Sequence, residues 1–477
     1  MIPSLLALMS SSFDVRIDSL ASAAPPAPAN SRLDAATAPR PGTFYLETFG
    51  CQMNAHDSEK VAGVLAGRGY LPVERPEEAQ VVLYNTCSIR EKAAQKVFSR
   101  LGLFREREGN GQIIGVLGCV AQQEGEEIFE RAPWVSLVCG SASYRKLPQL
   151  LAQLETGNRR VMGLDTDTDE TFETELTRRD NPFRAYITII EGCSKTCSYC
   201  VVPFTRGPER SRRSDAVLAE VRRLAAAGYS EIQFLGQTVN SYRDPSPRRM
   251  SFAELLVAAA AVPGVRRVRF TTSHPSEFGR DIVDAIDSTP ALCEHVHLPV
   301  QSGSSRILRA MRRTYTREEY LDKIALIRAA RRPISISSDI IVGFPGESDE
   351  DFAATLSLLD AAQFDSVFAF QYSPRPNTDA RALPGAVPEE EKGRRLAILQ
   401  EKQREIQSAR NQAIIGQTLE VLVDGASRKS GQWLGRTSSN RMVNFSSSEP
   451  NLLGQYAAIK ITGAGPNNLV GDCVGPG

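Results

Sequence analysis

The chain is 477 residues long and 42% hydrophobic, with 56 basic and 56 acidic side chains giving a formal charge of zero. That length suits two to four domains, and the charge balance excludes a globally basic nucleic-acid binder, leaving any such partner to a local basic surface. Nine cysteines with few close spacings do not make a secreted disulfide framework. They suit a reducing compartment and metal ligation, and no apolar run approaches the roughly 18 residues of a membrane span, so a cytoplasmic protein is expected.

Residues 1–41 are expected to be a disordered extension. Ile2–Met9 is a short apolar run with no basic segment before it, unlike a signal peptide, and the stretch from Ala21 to Pro41 is rich in Ala and Pro. Three strand-like runs follow, Thr43–Thr48, Val81–Tyr84 and Ile113–Leu117, with helical stretches at Asp57–Arg68 and Ile89–Arg105. This alternation predicts a parallel sheet with helices on its faces over residues 42–160. Residues 161–181, which include the acidic run Asp165–Glu170, read as a linker.

A second βα series occupies residues 182–412. Its predicted strands are 185–190, 231–235, 267–271, 295–298, 335–342 and 366–371, with helices at 213–227, 317–331 and 349–362 among the segments between them. Six such units fit an open (β/α)6 version of the TIM barrel, and a long charged helix from Glu389 to Ile415 ends the series. From 413 to 477 the pattern changes to short alternating strands, Leu419–Val423, Met442–Phe445 and Ala457–Ile461, which predict a small OB-like β-barrel. The fold class is α/β with this barrel appended.

The loop Cys193-Ser-Lys-Thr-Cys197-Ser-Tyr-Cys200 follows the apolar run Tyr186–Ile190, where a strand ends. Thiolates hold iron–sulfur clusters, and four irons normally call for four of them. Three thiols would leave one iron of a cubane open to a small chelating ligand. The competing reading is a zinc knuckle, but zinc prefers a closed set of four ligands, and no fourth Cys or His follows nearby. Cys51, Cys87 and Cys119 are far apart in sequence, yet each falls just past one of the three N-terminal strands. Parallel strands end on the same side, so these thiols can meet there. Three separately buried cysteines remain the alternative, which is also the reading for Cys139, Cys293 and Cys473.

The wording around these cysteines resembles the radical S-adenosylmethionine methylthiotransferases. The stretches that carry the likeness are Thr48–Asn54 with Asp57–Glu59, Tyr84–Lys92, Gly118–Gln123, Glu191–Gly207, Phe234–Asn240, His297–Gly303 and Asp339–Glu347. It runs from about residue 43 to the C-terminus. Thr86–Lys92 and Gly236–Asn240 favour the branch that acts on isopentenyladenosine in tRNA. The extension before Thr43 departs from the family pattern and touches none of these stretches.

The resemblance implies an N-terminal methylthiotransferase domain, a radical domain and a C-terminal TRAM domain. It implies a 4Fe–4S cluster on Cys193, Cys197 and Cys200 that binds S-adenosylmethionine, and an auxiliary 4Fe–4S cluster on Cys51, Cys87 and Cys119. Two molecules of S-adenosylmethionine would serve, one as methyl donor and one as the source of a 5′-deoxyadenosyl radical. The product would be 2-methylthio-N6-isopentenyladenosine at position 37 of tRNA. No catalytic triad is expected, since the cofactors carry the chemistry. Partners implied are an electron donor such as flavodoxin or ferredoxin and a sulfur donor or iron–sulfur carrier; the protein itself is expected to be a monomer with no membrane association.

Tyr199 beside a cluster ligand, Gln237 and Gln301 at strand ends, and Gly343 in a Gly-rich turn whose backbone a cofactor could pass closely are candidates for contact with S-adenosylmethionine. For RNA the candidates are the basic run Arg206, Arg210, Arg212 and Arg213, and a second set in the C-terminal barrel, Arg428, Lys429, Arg436 and Arg441, with Trp433 and Phe445 to stack on bases. The competing functions are the sister branches, acting on threonylcarbamoyladenosine in tRNA or on a ribosomal-protein aspartate. A non-enzymatic alternative is an iron–sulfur carrier or RNA-binding regulator.

Overall fold

The computed structural model describes residues 42–88, 91–105, 111–166, 172, 176–427 and 431–477. The expected extension 1–41 and the candidates Arg428 and Lys429 lie outside the described residues. The chain forms two compact units. The first ends at Asp180 and takes in Phe204–Arg206; the second holds Asn181–Pro203 and Gly207–Gly477.

The first unit is built on a parallel sheet. Its strands are β1 (Thr43–Phe49), β2 (Leu71–Pro72), β3 (Val81–Thr86), β4 (Ile113–Gly118), β5 (Leu137–Cys139) and β6 (Val161–Gly163), in the order β2-β1-β3-β4-β5-β6. Every residue of β3 is buried, as expected for a central parallel strand covered on both faces. Its side chains alternate between two cores: Val82 and Tyr84 join Ile114, Val116 and Val138 on one face, while Val81 and Leu83 join Phe44, Leu117 and Leu137 on the other. β6 lies in the segment expected to be linker. Val161 and Gly163 are buried beside β5 and Met162 is exposed, so the alternation of an edge strand precedes the acidic run. The strands β2 and β5 are likewise too short to read from periodicity.

The second unit opens with β7 (Arg184–Thr188). A two-residue ribbon, β8 (Ile190–Glu191) against β9 (Arg210–Ser211), frames the cysteine loop between them. Then come β10 (Glu231–Leu235), β11 (Arg267–Phe270), β12 (His295–His297), β13 (Ser335–Val342) and β14 (Ser366–Gln371). They form two parallel three-stranded sheets, β11-β10-β7 and β12-β13-β14, joined where Val268 and Cys293 donate backbone hydrogen bonds to Ala291 and Val268 at 2.8 and 2.9 Å. Strand order follows chain order, which is the partial (β/α)6 barrel. The long helix Glu389–Gln412 buries Leu399 and Ile406 in the barrel's outer core.

The C-terminal segment closes into a five-stranded barrel, β15 (Thr418–Ala426), β16 (Gln432–Thr437), β17 (Met442–Ser446), β18 (Tyr456–Ala464) and β19 (Leu469–Pro476), in the order β15-β16-β17-β19-β18. It docks on the starting ends of the large barrel's strands. Arg184 pairs with Glu231 and Asp424, Arg267 reaches Glu420 Oε1 and the Arg436 carbonyl at 2.9 Å each, and Arg269 donates to the Thr437 carbonyl at 3.0 Å. Burial pushes the Glu231 carboxyl up, but the guanidiniums of Arg269, Arg184 and Arg267 outweigh it and hold it at about 2. Among the described residues no helix is long and apolar enough to cross a membrane.

Candidate metal centres

Parallel register assembles the N-terminal trio. Phe49 is level with Thr86, and Thr86 with Gly118, so Cys51, Cys87 and Cys119 all emerge just beyond the carboxyl ends of three adjacent strands. The loops press together closely enough to demand glycine. A Cβ on Gly50 (φ +128) would lie 2.4 Å from Cys87 Cβ, and one on Gly118 (φ +87) would lie 2.3 Å from Asn85 Oδ1. Cys87 N–H donates to the Phe49 carbonyl at 3.2 Å. Behind the thiols, Asn54 Nδ2 donates to Asn85 Oδ1 at 3.2 Å, and Asn85 Nδ2 donates to the Asn54 carbonyl and to Ser58 Oγ at 3.0 and 2.9 Å.

The three sulfurs feel one another. A hydrogen bond with Cys87 is the main reason the Cys51 thiol is lowered to about 6, against the upward push of burial. Burial raises Cys119, with Arg206 opposing it and Cys51 adding to it. Arg206 donates from Nε to Cys119 Sγ at 3.3 Å and from Nη2 to Asp57 Oδ2 at 2.5 Å, with its side chain 3% exposed.

The second trio is local. Gly192 (φ +74) starts the loop, and a Cβ there would sit 2.0 Å from the Pro208 carbonyl oxygen. Cys193 N–H donates to the Gly207 carbonyl and Cys200 N–H to that of Cys197, both at 3.1 Å. Ser198 pins the loop's middle by donating from its amide to the Met311 carbonyl at 3.0 Å and from Oγ to that of Ala310 at 2.8 Å. Burial pushes Cys193 up and Cys200 up to about 12, and Cys197 contributes to both shifts. Arg313 Nη1 donates to Cys197 Sγ at 3.5 Å. Lys195, within the loop, pairs with Glu277.

Both donor sets are thiol-only and one short of four, which suits iron–sulfur ligation with one open iron rather than a closed zinc site. Among the described residues no group of three or more His, Cys, Asp or Glu side chains is set around a single ion. A cubane presents its irons at separate corners, so its thiolates need not converge on one point. Thiols raised by burial become thiolates when a metal takes the proton's place.

The candidates for S-adenosylmethionine fare unevenly. Gln237 Oε1 is buried with no hydrogen-bond partner among the described residues. Gln301 has a left-handed backbone (φ 74) held by hydrogen bonds to Asp339 and from Ile341 at 2.8 and 2.9 Å. Tyr199 packs against Ile307, Met311, Phe344, Tyr372 and Ala380. Gly343 is approached by this chain's own helix, since a Cβ there would meet Lys392 Cγ at 2.3 Å.

Most of the arginines expected to meet RNA have protein partners instead. Arg206 serves Asp57 and Cys119. Arg212 is buried against Glu220 at 2.5 Å, and Arg210, 13% exposed, lies 3.8 Å from Glu191. Arg436 is half-buried and donates to Asn440 Oδ1 at 2.9 Å, while Arg441 pairs with Asp365 and donates to Asn411 Oδ1 at 3.2 Å. Phe445 is wholly buried in the small barrel's core, so it cannot stack on a base, and Trp433 leans on that core. Alternation along β17 turns Phe445 into the small barrel's core, and docking of that barrel half-covers Arg436 and Arg441. Arg213 alone among the described arginines of both runs is half exposed, beside Asp215 at 2.7 Å. Sequence reasoning missed Arg313 and Asp57. Nothing in the spacing around Arg313 marks it, whereas Asp57 stands in one of the stretches that carry the family likeness.

Three family profiles match the chain: an uncharacterised protein family, UPF0004, over residues 43–140; the radical SAM superfamily over 187–359; and the TRAM domain over 412–474. Among curated relatives, the tRNA-2-methylthio-N(6)-dimethylallyladenosine synthase of Solibacter usitatus is 62% identical over 90% of this chain and 97% of its own length. The protein of the same name from Koribacter versatilis is 58% identical over 91% of this chain and 99% of its own. Among solved structures, the radical S-adenosylmethionine methyltransferase TsrM from Kitasatospora setae superposes with a TM-score of 0.53 at 15% identity, over 71% of this chain and 74% of that one. This last match speaks to the fold alone.

Proposed function

The chain belongs to the radical S-adenosylmethionine methylthiotransferases, and on that footing we propose that it methylthiolates carbon 2 of N6-isopentenyladenosine at position 37 of tRNA, in the cytoplasm. The reading rests above all on the parallel register that brings the strand ends before Cys51, Cys87 and Cys119 level, in a chain 62% identical to a relative named for that product. Its domains are the N-terminal α/β unit, the radical barrel and the C-terminal TRAM barrel.

Two 4Fe–4S clusters and two molecules of S-adenosylmethionine would supply the radical, the methyl group and the sulfur attachment. The chain's own residues hold and shield them. Cys193, Cys197 and Cys200 ligate one cluster, and Cys51, Cys87 and Cys119 the other. The turn at Gly192 and the Ser198 hydrogen bonds fix the first loop, and the Asn54–Asn85–Ser58 network fixes the second set. Gln237 offers a buried acceptor to S-adenosylmethionine, and Gln301 and Tyr199 are further candidates for contact with it. The apolar packing around Tyr199 keeps water from a reactive species. Arg213 and Trp433, with Arg428 and Lys429, remain the RNA candidates. A low-potential electron donor and a sulfur donor complete the reaction.

Anaerobically reconstituted protein with dithionite, S-adenosylmethionine and tRNA carrying isopentenyladenosine tests this directly. Nucleoside mass spectrometry is expected to show the 2-methylthio derivative together with released 5′-deoxyadenosine. Release without methylthiolation of this tRNA, but with modification of threonylcarbamoyladenosine or of a ribosomal-protein aspartate, would move the chain to a sister branch. No release at all would leave only a carrier or RNA-binding role.

A further inference from the structure

Arg206, which the basic run places among the RNA candidates, is instead one of the most enclosed cations in the chain, 3% exposed beside an Asp57 that is 2% exposed. The way its donors are divided carries information. A guanidinium recruited only to satisfy a buried carboxylate would present two parallel N–H groups to it. Here a single nitrogen, Nη2, reaches Asp57 Oδ2 at 2.5 Å, and Nε is spent on Cys119 Sγ at 3.3 Å. Nη1 is buried and has no hydrogen-bond partner among the described residues. Sulfur of a neutral thiol is a weak acceptor and gives little in return for placing a charge there. Sulfur of a ligating thiolate is a strong one.

We propose that Arg206 is a positioning residue for the auxiliary cluster: anchored by Asp57, it donates to the Cys119 thiolate and so favours the cluster's reduced state. The effect is electrostatic. One-electron reduction adds negative charge to the cluster, and a cation and hydrogen-bond donor at a ligating sulfur stabilises the more negative state, raising the potential. Asp57 moderates the effect by offsetting part of the charge and holding the guanidinium in place. The sequence holds Arg206 in position by ending the helix Val202–Arg206 at Gly207, whose φ of 74 turns the chain away.

This inference rests on the two-cluster reading, and the experiment separates the two. The background is full-length protein carrying Cys193→Ala, Cys197→Ala and Cys200→Ala, reconstituted anaerobically, so that only the auxiliary cluster remains. Iron and sulfide content come first; a background protein that binds no cluster would sink the two-cluster reading itself. With a full cluster present, the reduction potential is measured by titration followed by electron paramagnetic resonance. Arg206→Met combined with Asp57→Asn removes the donor without leaving a buried charge behind. Its reduced state should be disfavoured at least tenfold, a fall of about 59 mV for a one-electron couple. Asp57→Asn alone leaves the guanidinium uncompensated and should move the potential the other way. A merely structural pair would not give shifts of opposite sign. If the double variant does not fold, Arg206→Lys reads the same quantity, since one ammonium cannot serve both partners and the potential should again fall. A fully loaded double or Lys variant with the parent's potential, or a fall in Asp57→Asn, would overturn the proposal.

Discussion

Cys193, Cys197 and Cys200 lie in one loop framed by a two-residue ribbon, while Cys51, Cys87 and Cys119 come from three strand ends that only parallel register brings level. Each trio has one guanidinium on one sulfur, the half-buried Arg313 on Cys197 and the buried Arg206 on Cys119. The guanidiniums are held differently. Arg313 donates to the Pro299 carbonyl at 3.1 Å and to Tyr315 Oη at 2.8 Å, which are neutral acceptors, whereas Arg206 is held by the Asp57 carboxylate. A site made within a loop depends on local turns. A site made by sheet register depends on the whole unit and on a buried ion pair, so the two should fail in different ways when perturbed.

The largest contrast comes from removing each trio. Six thiolates grouped as two clusters predict about eight irons and eight sulfides per chain. Replacing Cys193, Cys197 and Cys200 with Ala should halve the iron and abolish 5′-deoxyadenosine release. Replacing Cys51, Cys87 and Cys119 should also halve the iron but spare that release while ending methylthiolation. Loss of all iron from either variant would break the picture of two independent sites.

Removing the guanidiniums should come next. Arg206→Met takes the counter-charge from the buried Asp57, and breaking such a pair costs about 3–5 kcal/mol. Arg313→Met strands only neutral acceptors, at about 1–3 kcal/mol. Thermal unfolding of the cluster-free proteins measures both, and equal losses would show that the carboxylate does not distinguish the sites.

The glycines sharpen the comparison on a smaller scale. Gly192→Ala and Gly118→Ala each force a side chain into a left-handed backbone, at φ 74 and 87, costing roughly 1–3 kcal/mol in backbone strain, to which the steric overlaps add. Each kcal/mol lowers the melting temperature of a domain of about 200 residues by roughly 2–4 °C. The methyl that Gly192→Ala adds would meet a backbone carbonyl, which cannot move aside. The methyl that Gly118→Ala adds would meet the Thr86 carbonyl oxygen at 2.8 Å and, closer still at 2.3 Å, the Asn85 side chain, which can shift only at the expense of its hydrogen bonds. Iron content should therefore fall further in the Gly118 variant than its loss of melting temperature suggests, because Asn85 supports the thiol loops. Iron that tracks the melting temperature equally in both variants would remove Asn85 from that role.

The same contrast explains what can be read from the chain beforehand. The Cys193–Cys200 loop announces itself because ligand spacing lies within one turn of chain. The N-terminal trio is legible only as a possibility, since spacing between distant cysteines says nothing until strand ends are known; the βα alternation supplies those ends. Strands β5 and β6 escape notice because three residues give no periodicity, and the acidic run after Gly163 draws the expected linker too early. The arginines mislead for another reason. A basic run in sequence does not say which side chains turn inward: Arg206, Arg212 and Arg441 find buried acids or amides, for Arg206 and Arg441 far along the chain, and Arg436 a half-buried amide. Arg313 is invisible, because only the fold brings it to Cys197.

Arg213 offers the smallest and most selective test, because it stands in the same basic run as Arg206 but does a different job. Its guanidinium is half exposed and paired with the exposed Asp215, so Arg213→Ala should leave the melting temperature, iron content and radical cleavage untouched. If it meets a phosphate of the tRNA, its loss should weaken binding about equally for every tRNA sequence and reduce the salt dependence of binding by about one unit of slope. Fluorescence titration of tRNA at several salt concentrations reads that slope. An unchanged slope would assign RNA contact away from this run altogether, leaving Arg206 to the cluster and the tRNA to the surface around Trp433.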